Sequence, residues 1–137
     1  MITIFREIAL KQIVTQKSKD IALKQLHDQL TELMAEIEAY EEEKTRMLTG
    51  FALRGGEGGQ MENLRRQLDG ESSRFFVRKD ELMRQIGEVQ NLREGEEIPA
   101  GSVEGPRVLQ VGDDFAALAK AEIVLKDGMV AEIRDGA

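Results

Sequence analysis

Residues 2–14 place Ile2, Ile4, Ile8, Leu10 and Val14 at even positions, with Thr3, Glu7 and Lys11 among the odd ones. That period of two predicts a strand with one buried face. A helical stripe through Ile4, Phe5, Ile8 and Ile13 is the competing reading of the same segment. The chain then turns polar. Thr15 or Ser18 offers a side-chain oxygen to the free N–H groups that open a helix, and Asp20 adds negative charge to the first turn.

From Leu23 the apolar positions alternate three and four apart: Leu23, Leu26, Leu30, Leu33, Ile37, Tyr40, Lys44, Met47 and Phe51. This heptad stripe, with Lys44 its one charged member, runs about 45 Å along a helix at ~1.5 Å per residue and requires a partner helix. Glu36, Glu38, Glu41, Glu42 and Glu43 lie off the stripe and belong to the solvated side. Gly50, Gly55, Gly56, Gly58 and Gly59 then predict a flexible turn near residues 49–60. A second stripe follows, with Met61, Leu68, Phe75, Leu82 and Val89 seven apart. Leu64, Ile86 and Leu92 fit beside it while Glu71, Arg78 and Lys79 do not, so the second seam reads as looser. Two helices of similar length joined by a short turn fold back most simply as an antiparallel coiled-coil hairpin.

Beyond Arg93, residues Gly95, Pro99, Gly101, Gly105 and Pro106 break helical periodicity. Arg107–Gly112 reads as a strand, and Asp113 or Asp114 as the cap of a short helix through Phe115, Ala117 and Leu118. Glu122–Lys126 and Met129–Arg134 flank Asp127-Gly128, the dipeptide suited to a two-residue hairpin turn. Three short strands bury little alone, so the N-terminal strand is expected to join them in a small sheet or partial barrel. The predicted fold class is α+β: a long antiparallel coiled-coil helical hairpin inserted between an N-terminal strand (1–14) and a small C-terminal β-rich unit (96–137), the hairpin occupying 15–95.

Composition narrows the chemistry. The 137 residues include no cysteine and one histidine, His27, which removes disulfides, thiolate zinc sites and cysteine nucleophiles and leaves a single imidazole for any triad. The net charge of −7 opposes direct nucleic-acid binding, and five Phe with one Tyr and no Trp supply little base stacking. Charge is uneven: residues 1–24 carry +3, residues 25–50 and 96–137 carry −5 each, and 51–95 balance. Charged residues interrupt the N-terminal segment, so no export signal is read. No uncharged run approaches the ~20 residues that span a bilayer. A cytoplasmic location follows as the expectation, with no membrane association.

The leading ITIFREIALKQIVT, the long charged helices, and the tail VGDDF followed by AEIVLKDGMVAEIR resemble the YlqD family of bacterial proteins. The resemblance spans both ends of the chain and implies an overall shape. It brings no catalytic residues, because the family carries no assigned activity. The glycine-rich RGGEGGQ at 54–60 departs from the family pattern.

The remaining candidates are weighed against ordinary roles. His27 beside Asp28 is a solvent-facing helical residue, since a metal would require further ligands at helical spacing. Asp113, Asp114 and Asp127 are turn and cap residues before they are Mg²⁺ ligands. Arg54 among glycines lacks the Gly-Lys-Ser/Thr ending of a nucleotide loop. No catalytic, metal or cofactor residues are predicted. Phe51, Leu53 and Arg54 at the turn, with Phe76 and Met83 flanking the second stripe, are the residues expected to touch a protein partner. Pairing of two hairpins into a four-helix bundle would make a homodimer. The function read from this pattern is a non-enzymatic coiled-coil scaffold or adaptor. The alternatives are a hairpin factor of the RNA-polymerase channel or the ribosome, for which Glu57 is the one tip acid, and a holdase-type chaperone.

Overall fold

The computed structural model describes residues 1–56 and 58–135. The elements follow the order β1 (Ile2–Ile13), α1 (Gln16–Leu53), α2 (Gly58–Gln90), β2 (Glu97–Leu109), α3 (Phe115–Leu118), β3 (Ala121–Lys126) and β4 (Met129–Asp135). Two compact units result, one of Met1–Ile21 with Leu92–Ala137, the other of Ala22–Asn91. The fold is the α+β arrangement expected, with a helical hairpin between an N-terminal strand and a small C-terminal sheet.

In the first unit the strand order is β2-β1-β3-β4, so the N-terminal strand lies inside the sheet. It runs antiparallel to β2 and parallel to β3, while β3 and β4 form the predicted hairpin. Asp127 and Gly128 take φ of +49° and +82°, the left-handed pair that a tight two-residue turn requires. Period-two alternation sets Ile4, Arg6, Ile8 and Leu10 on one face of β1, where they are half-buried, and Thr3, Phe5, Glu7 and Ala9 on the other, where they are exposed. Val14, Leu118, Ala121 and Val124 are the buried core.

β2 differs from the expectation. It begins at Glu97, ten residues before the strand predicted at Arg107–Gly112, and runs through Pro99, Gly101, Gly105 and Pro106. β2 is an edge, with β1 on one side only, so prolines without an N–H are tolerated there. The pairing steps from Leu10–Gly101 to Lys11–Pro99, so one extra residue on β2 is accommodated as a bulge, and Gly101 takes φ of +106° beside it.

The start of α1 is capped within this unit. Thr15 Oγ1 accepts from Ser18 N (3.0 Å) and Ser18 Oγ accepts from Thr15 N (2.9 Å), a reciprocal box in which both named residues take part. The Thr15 hydroxyl donates to Asp127 Oδ1 (2.6 Å), joining the cap to the β-hairpin turn. Lys19 Nζ donates to the Leu92 carbonyl (2.8 Å).

The second unit is the hairpin. Glycine loosens it less than composition suggests: α1 continues through Gly50 and α2 begins at Gly58, so residues 54–57 alone separate the helices, a tighter turn than the 49–60 segment predicted. α1 ends in a glycine cap in which Gly56 N donates to the Phe51 carbonyl (2.9 Å) and Gly55 N to that of Ala52 (3.2 Å), with Gly55 at φ +85°. Along the seam Leu33, Leu68, Ser72, Leu82 and Ile86 are buried. Tyr40 fixes the register between helices. Its ring centroid lies 5.3 Å from that of Phe75, and its hydroxyl shares one proton between the Leu68 carbonyl (2.9 Å) and Glu71 Oε2 (3.0 Å). Four residues later, Lys44 pairs with Asp69 of α2, so the helices run antiparallel.

Candidate protein-contact surface

Leu33 of α1 and Leu68 and Leu82 of α2 are buried in the hairpin, and the residue that follows each, Met34, Asp69 and Met83, is exposed and opens a flank. The flank is defined best near the turn, where Glu41, Lys44 and Leu48 of α1 line one concavity with Arg65 and Asp69 of α2. Seven residues on, the same helix positions recur. Stepping back from Glu41 gives Met34, and forward from Asp69 gives Phe76 and then Met83. These three are 50%, 47% and 54% exposed, so a stretch of flank with charges of both signs gives way to an apolar one along the same side of the hairpin. His27, one heptad before Met34, lies exposed at its far end.

The structure thus brings Phe76 and Met83 onto one flank and adds Met34, which the sequence reading missed. A signal for it existed: Met34 follows Leu33 as Phe76 follows Phe75 and Met83 follows Leu82. Phe51, Leu53 and Arg54 are elsewhere, at the turn. Phe76 lies 18 residues into α2 from Gly58, about 27 Å along the axis at ~1.5 Å per residue, so the five candidates form two places. At the turn Leu53 is 83% exposed, whereas Phe51 is half-buried. The Phe51 ring lies 2.1–2.7 Å from where a Cβ on residue 56 would stand, so it packs on Gly56 and only glycine fits beneath it in this conformation. The Arg54 guanidinium folds back, with Nε donating to the Gly50 carbonyl (3.2 Å). Glu57, the one tip acid of the polymerase-channel reading, lies outside the described residues.

Lys44 carries charge into the seam with its side chain 18% exposed. Its ammonium is held above the ordinary lysine range, chiefly by the hydrogen bond to Asp69, against the opposing effect of burial. Tyr40 is likewise pushed up, first by desolvation and then by the carboxylate of Glu71. Both shifts keep these groups in their neutral-pH forms, which suits them to seam contacts.

A second polar constellation lies on the sheet. Arg134 on β4 donates to Glu97 of β2 (2.9 Å), Glu122 of β3 (3.3 Å) and Glu132 of its own strand (3.0 Å), and Lys11 of β1 pairs with Glu122 (3.1 Å). These residues share a sheet face and span all four strands. Glu97 is held below the usual carboxylate range by the Arg134 hydrogen bond, and Glu122 by that of Lys11 first and then Arg134. On the opposite face Arg6 donates to the Leu118 carbonyl (2.5 Å) and to both Asp135 oxygens (3.3 and 3.0 Å), tying β1 to α3 and β4. A cleft of about 490 Å³ lies beside Ala9, Lys120, Glu122 and Arg134, and its Glu122 and Arg134 already pair with each other.

The three aspartates weighed as metal ligands are engaged in turns. Asp113 accepts from Gln110 N (2.8 Å), Asp114 caps α3 through Ala116 N (3.1 Å) and Ala117 N (3.3 Å), and Asp127 accepts from Thr15. No group of three or more His, Cys, Asp or Glu residues able to hold a metal occurs among the described residues. No described helix is long and apolar enough to cross a membrane.

A family profile, that of the YlqD protein, matches residues 2–134, nearly the whole chain. The chain belongs to the YlqD family. Among solved structures, a protein of unknown function from Synechococcus sp. WH 8102 is similar at a TM-score of 0.68 and 21% identity, covering 97% of this chain and 94% of that one. At that identity the likeness shows the fold alone. No curated protein matches the chain.

Proposed function

We propose that this YlqD-family protein is a non-enzymatic scaffold or adaptor whose hairpin, packed as a coiled coil, binds another protein along its exposed flank. The observation that carries the reading is the apolar run of Met34, Phe76 and Met83 on one side of the hairpin, with Leu53 exposed at the turn. A helix pair with a completed seam has no internal use for a second line of large apolar side chains. Methionine and phenylalanine at heptad spacing fit an amphipathic partner helix laid beside the hairpin, because flexible thioethers adapt to the surface they meet. A homodimer formed by paired hairpins would bury this same flank and so compete with a partner for it. Under this reading the protein works in the cytoplasm and its chemistry is that of binding.

The test is the double substitution Phe76→Glu/Met83→Glu, compared with Lys24→Glu/Arg74→Glu, by co-purification from the native cell with quantitative mass spectrometry. The flank substitution is expected to remove a defined partner without changing the helical circular dichroism, and the control is expected to keep it. Equal partner recovery in both variants would refute the assignment. Suppression of aggregation of several unrelated unfolded clients, lost in the flank variant, would favour the holdase reading instead.

A further inference from the structure

The sheet has two edges of unequal character. β2 is blunted by Pro99 and Pro106, which lack an N–H, and by the bulge beside Gly101. β4, Met129–Asp135, carries no proline, and Met129, Val130 and Ile133 are 73%, 59% and 70% exposed. Its pairing with β3 is regular from Glu132 to Asp135 beyond a register shift opposite Val124/Leu125.

The ladder places Leu10, Ile123 and Ile133 in one cross-strand row on one face. Leu10 and Ile123 are half-buried, each flanked by a neighbouring strand, and the row ends at Ile133, which has a neighbour on one side only. On the other face β4 presents Glu132 and Arg134, two apart and opposite in charge. An antiparallel copy of β4 laid along this edge about a two-fold axis through Ile133 sets Glu132 opposite Arg134 of the copy, and Arg134 opposite Glu132 of the copy. Each Arg134, whose guanidinium is already held by Glu97, Glu122 and Glu132 of its own chain, then stands opposite a carboxylate instead of a like charge, and Ile133 faces its own counterpart, extending the aliphatic row across both sheets. An axis through Glu132 would set that carboxylate against itself, and an axis through Arg134 would oppose two guanidiniums. One register of the three is complementary on both faces.

We propose that β4 is the edge along which a second copy of this chain adds, antiparallel about Ile133, to form a continuous eight-stranded sheet. The pairing uses no hairpin residue, so it stands or falls independently of the scaffold reading.

The chain contains no cysteine, which makes the register directly measurable. Directly opposed residues in an antiparallel pair have Cα atoms about 4.5–5.5 Å apart, within disulfide reach. Ile133→Cys is therefore expected to give a disulfide-linked dimer under mild oxidation at least about ten times faster than Ala131→Cys, whose counterpart in this register is residue 135. Light scattering of the unmodified full chain should show a mass rising from 15.4 kDa toward twice that value with concentration. Ile133→Lys, at an exposed position, should weaken dimerisation about tenfold or more with unchanged circular dichroism. A mass that stays monomeric up to about 500 µM would overturn the proposal. So would equal crosslinking at 131 and 133, or a dimer that withstands Ile133→Lys and is lost in Phe76→Glu/Met83→Glu. Should Ile133→Lys not fold, the crosslinking comparison alone decides.

Discussion

Leu82→Ala tests the seam on which the hairpin depends. Leu82 is 2% exposed, among the most buried side chains in the chain, and sits on α2 between the seam positions Lys79 and Ile86. Removing three carbons from a buried leucine costs about 2–5 kcal/mol, the larger values where the surroundings cannot collapse. A two-helix layer has open flanks, and long side chains such as Met83 can move inward, so the lower half of that range, about 2–3 kcal/mol, is expected here. Against the ~5–15 kcal/mol of a typical domain this is a large loss. The far-ultraviolet signal at 222 nm comes mainly from α1 and α2, so urea titration followed there reads the hairpin. With a slope of about 1–2 kcal/mol/M, the midpoint should fall by roughly 1–3 M. Leu53→Ala is the internal control: at 83% exposure it should stay within about 0.5 kcal/mol of the unmodified chain. If Leu82→Ala and Leu53→Ala proved equally mild, the seam would not be what holds the helices and the packing argument would fail.

Other consequences follow from single contacts. Gly56→Ala should destabilise the turn by about 1–3 kcal/mol because the new methyl displaces the Phe51 ring, and by less than about 0.5 kcal/mol in a Phe51→Ala background; a double-mutant cycle by urea titration measures the difference. Acid should weaken the sheet through Glu97 and Glu122. Their folded pKa values lie below the ordinary carboxylate value of about 4.3, so their contribution is full above that pH and is lost as pH falls through the lowered values. Denaturation midpoints at successive pH values should therefore drop below pH ~4, and Glu97→Gln/Glu122→Gln should flatten that drop. A double variant with the same acid dependence as the unmodified chain would contradict the assignment.

Elements dominated by one period were legible in the sequence, and elements set by partners across the fold were not. The seven-residue spacing of Met61, Leu68, Phe75, Leu82 and Val89 marks α2, and Asp127-Gly128 marks the β3–β4 turn. Details of the seam depart from a strict heptad because a straight helix drifts ~20° per heptad. Near the turn Met47, expected inside, is 42% exposed and Leu48 is half-buried instead. On α2 the second seam line falls four residues after Leu68, Phe75 and Leu82, at buried Ser72, half-buried Lys79 and buried Ile86, so Ser72 occupies the place where Glu71 had made the seam look broken. Its small side chain leaves room beside Tyr40, and its hydroxyl is satisfied by the Leu68 carbonyl (3.1 Å). β2 was hidden for a different reason: Pro99 and Pro106 argue against a strand only when both edges are paired, and nothing local reveals that β2 is an edge. The parallel pairing of β1 with β3 is a property of the assembled sheet, and no residue of either strand encodes it. Of the candidate contact surface, Phe76 and Met83 were visible from spacing and Met34 from its place after Leu33, but that all three lie on one side follows only from how the two antiparallel helices face each other.

Photo-crosslinking in the native cell tests the central functional claim most directly. A photoreactive amino acid would be placed singly at Met34, Leu53, Phe76 and Met83, and at exposed controls Lys24 and Glu42. Adducts of one defined protein are expected from the flank positions 34, 76 and 83, with none from the controls. Adducts that are absent at all positions, or equally frequent at flank and control positions, would contradict that claim.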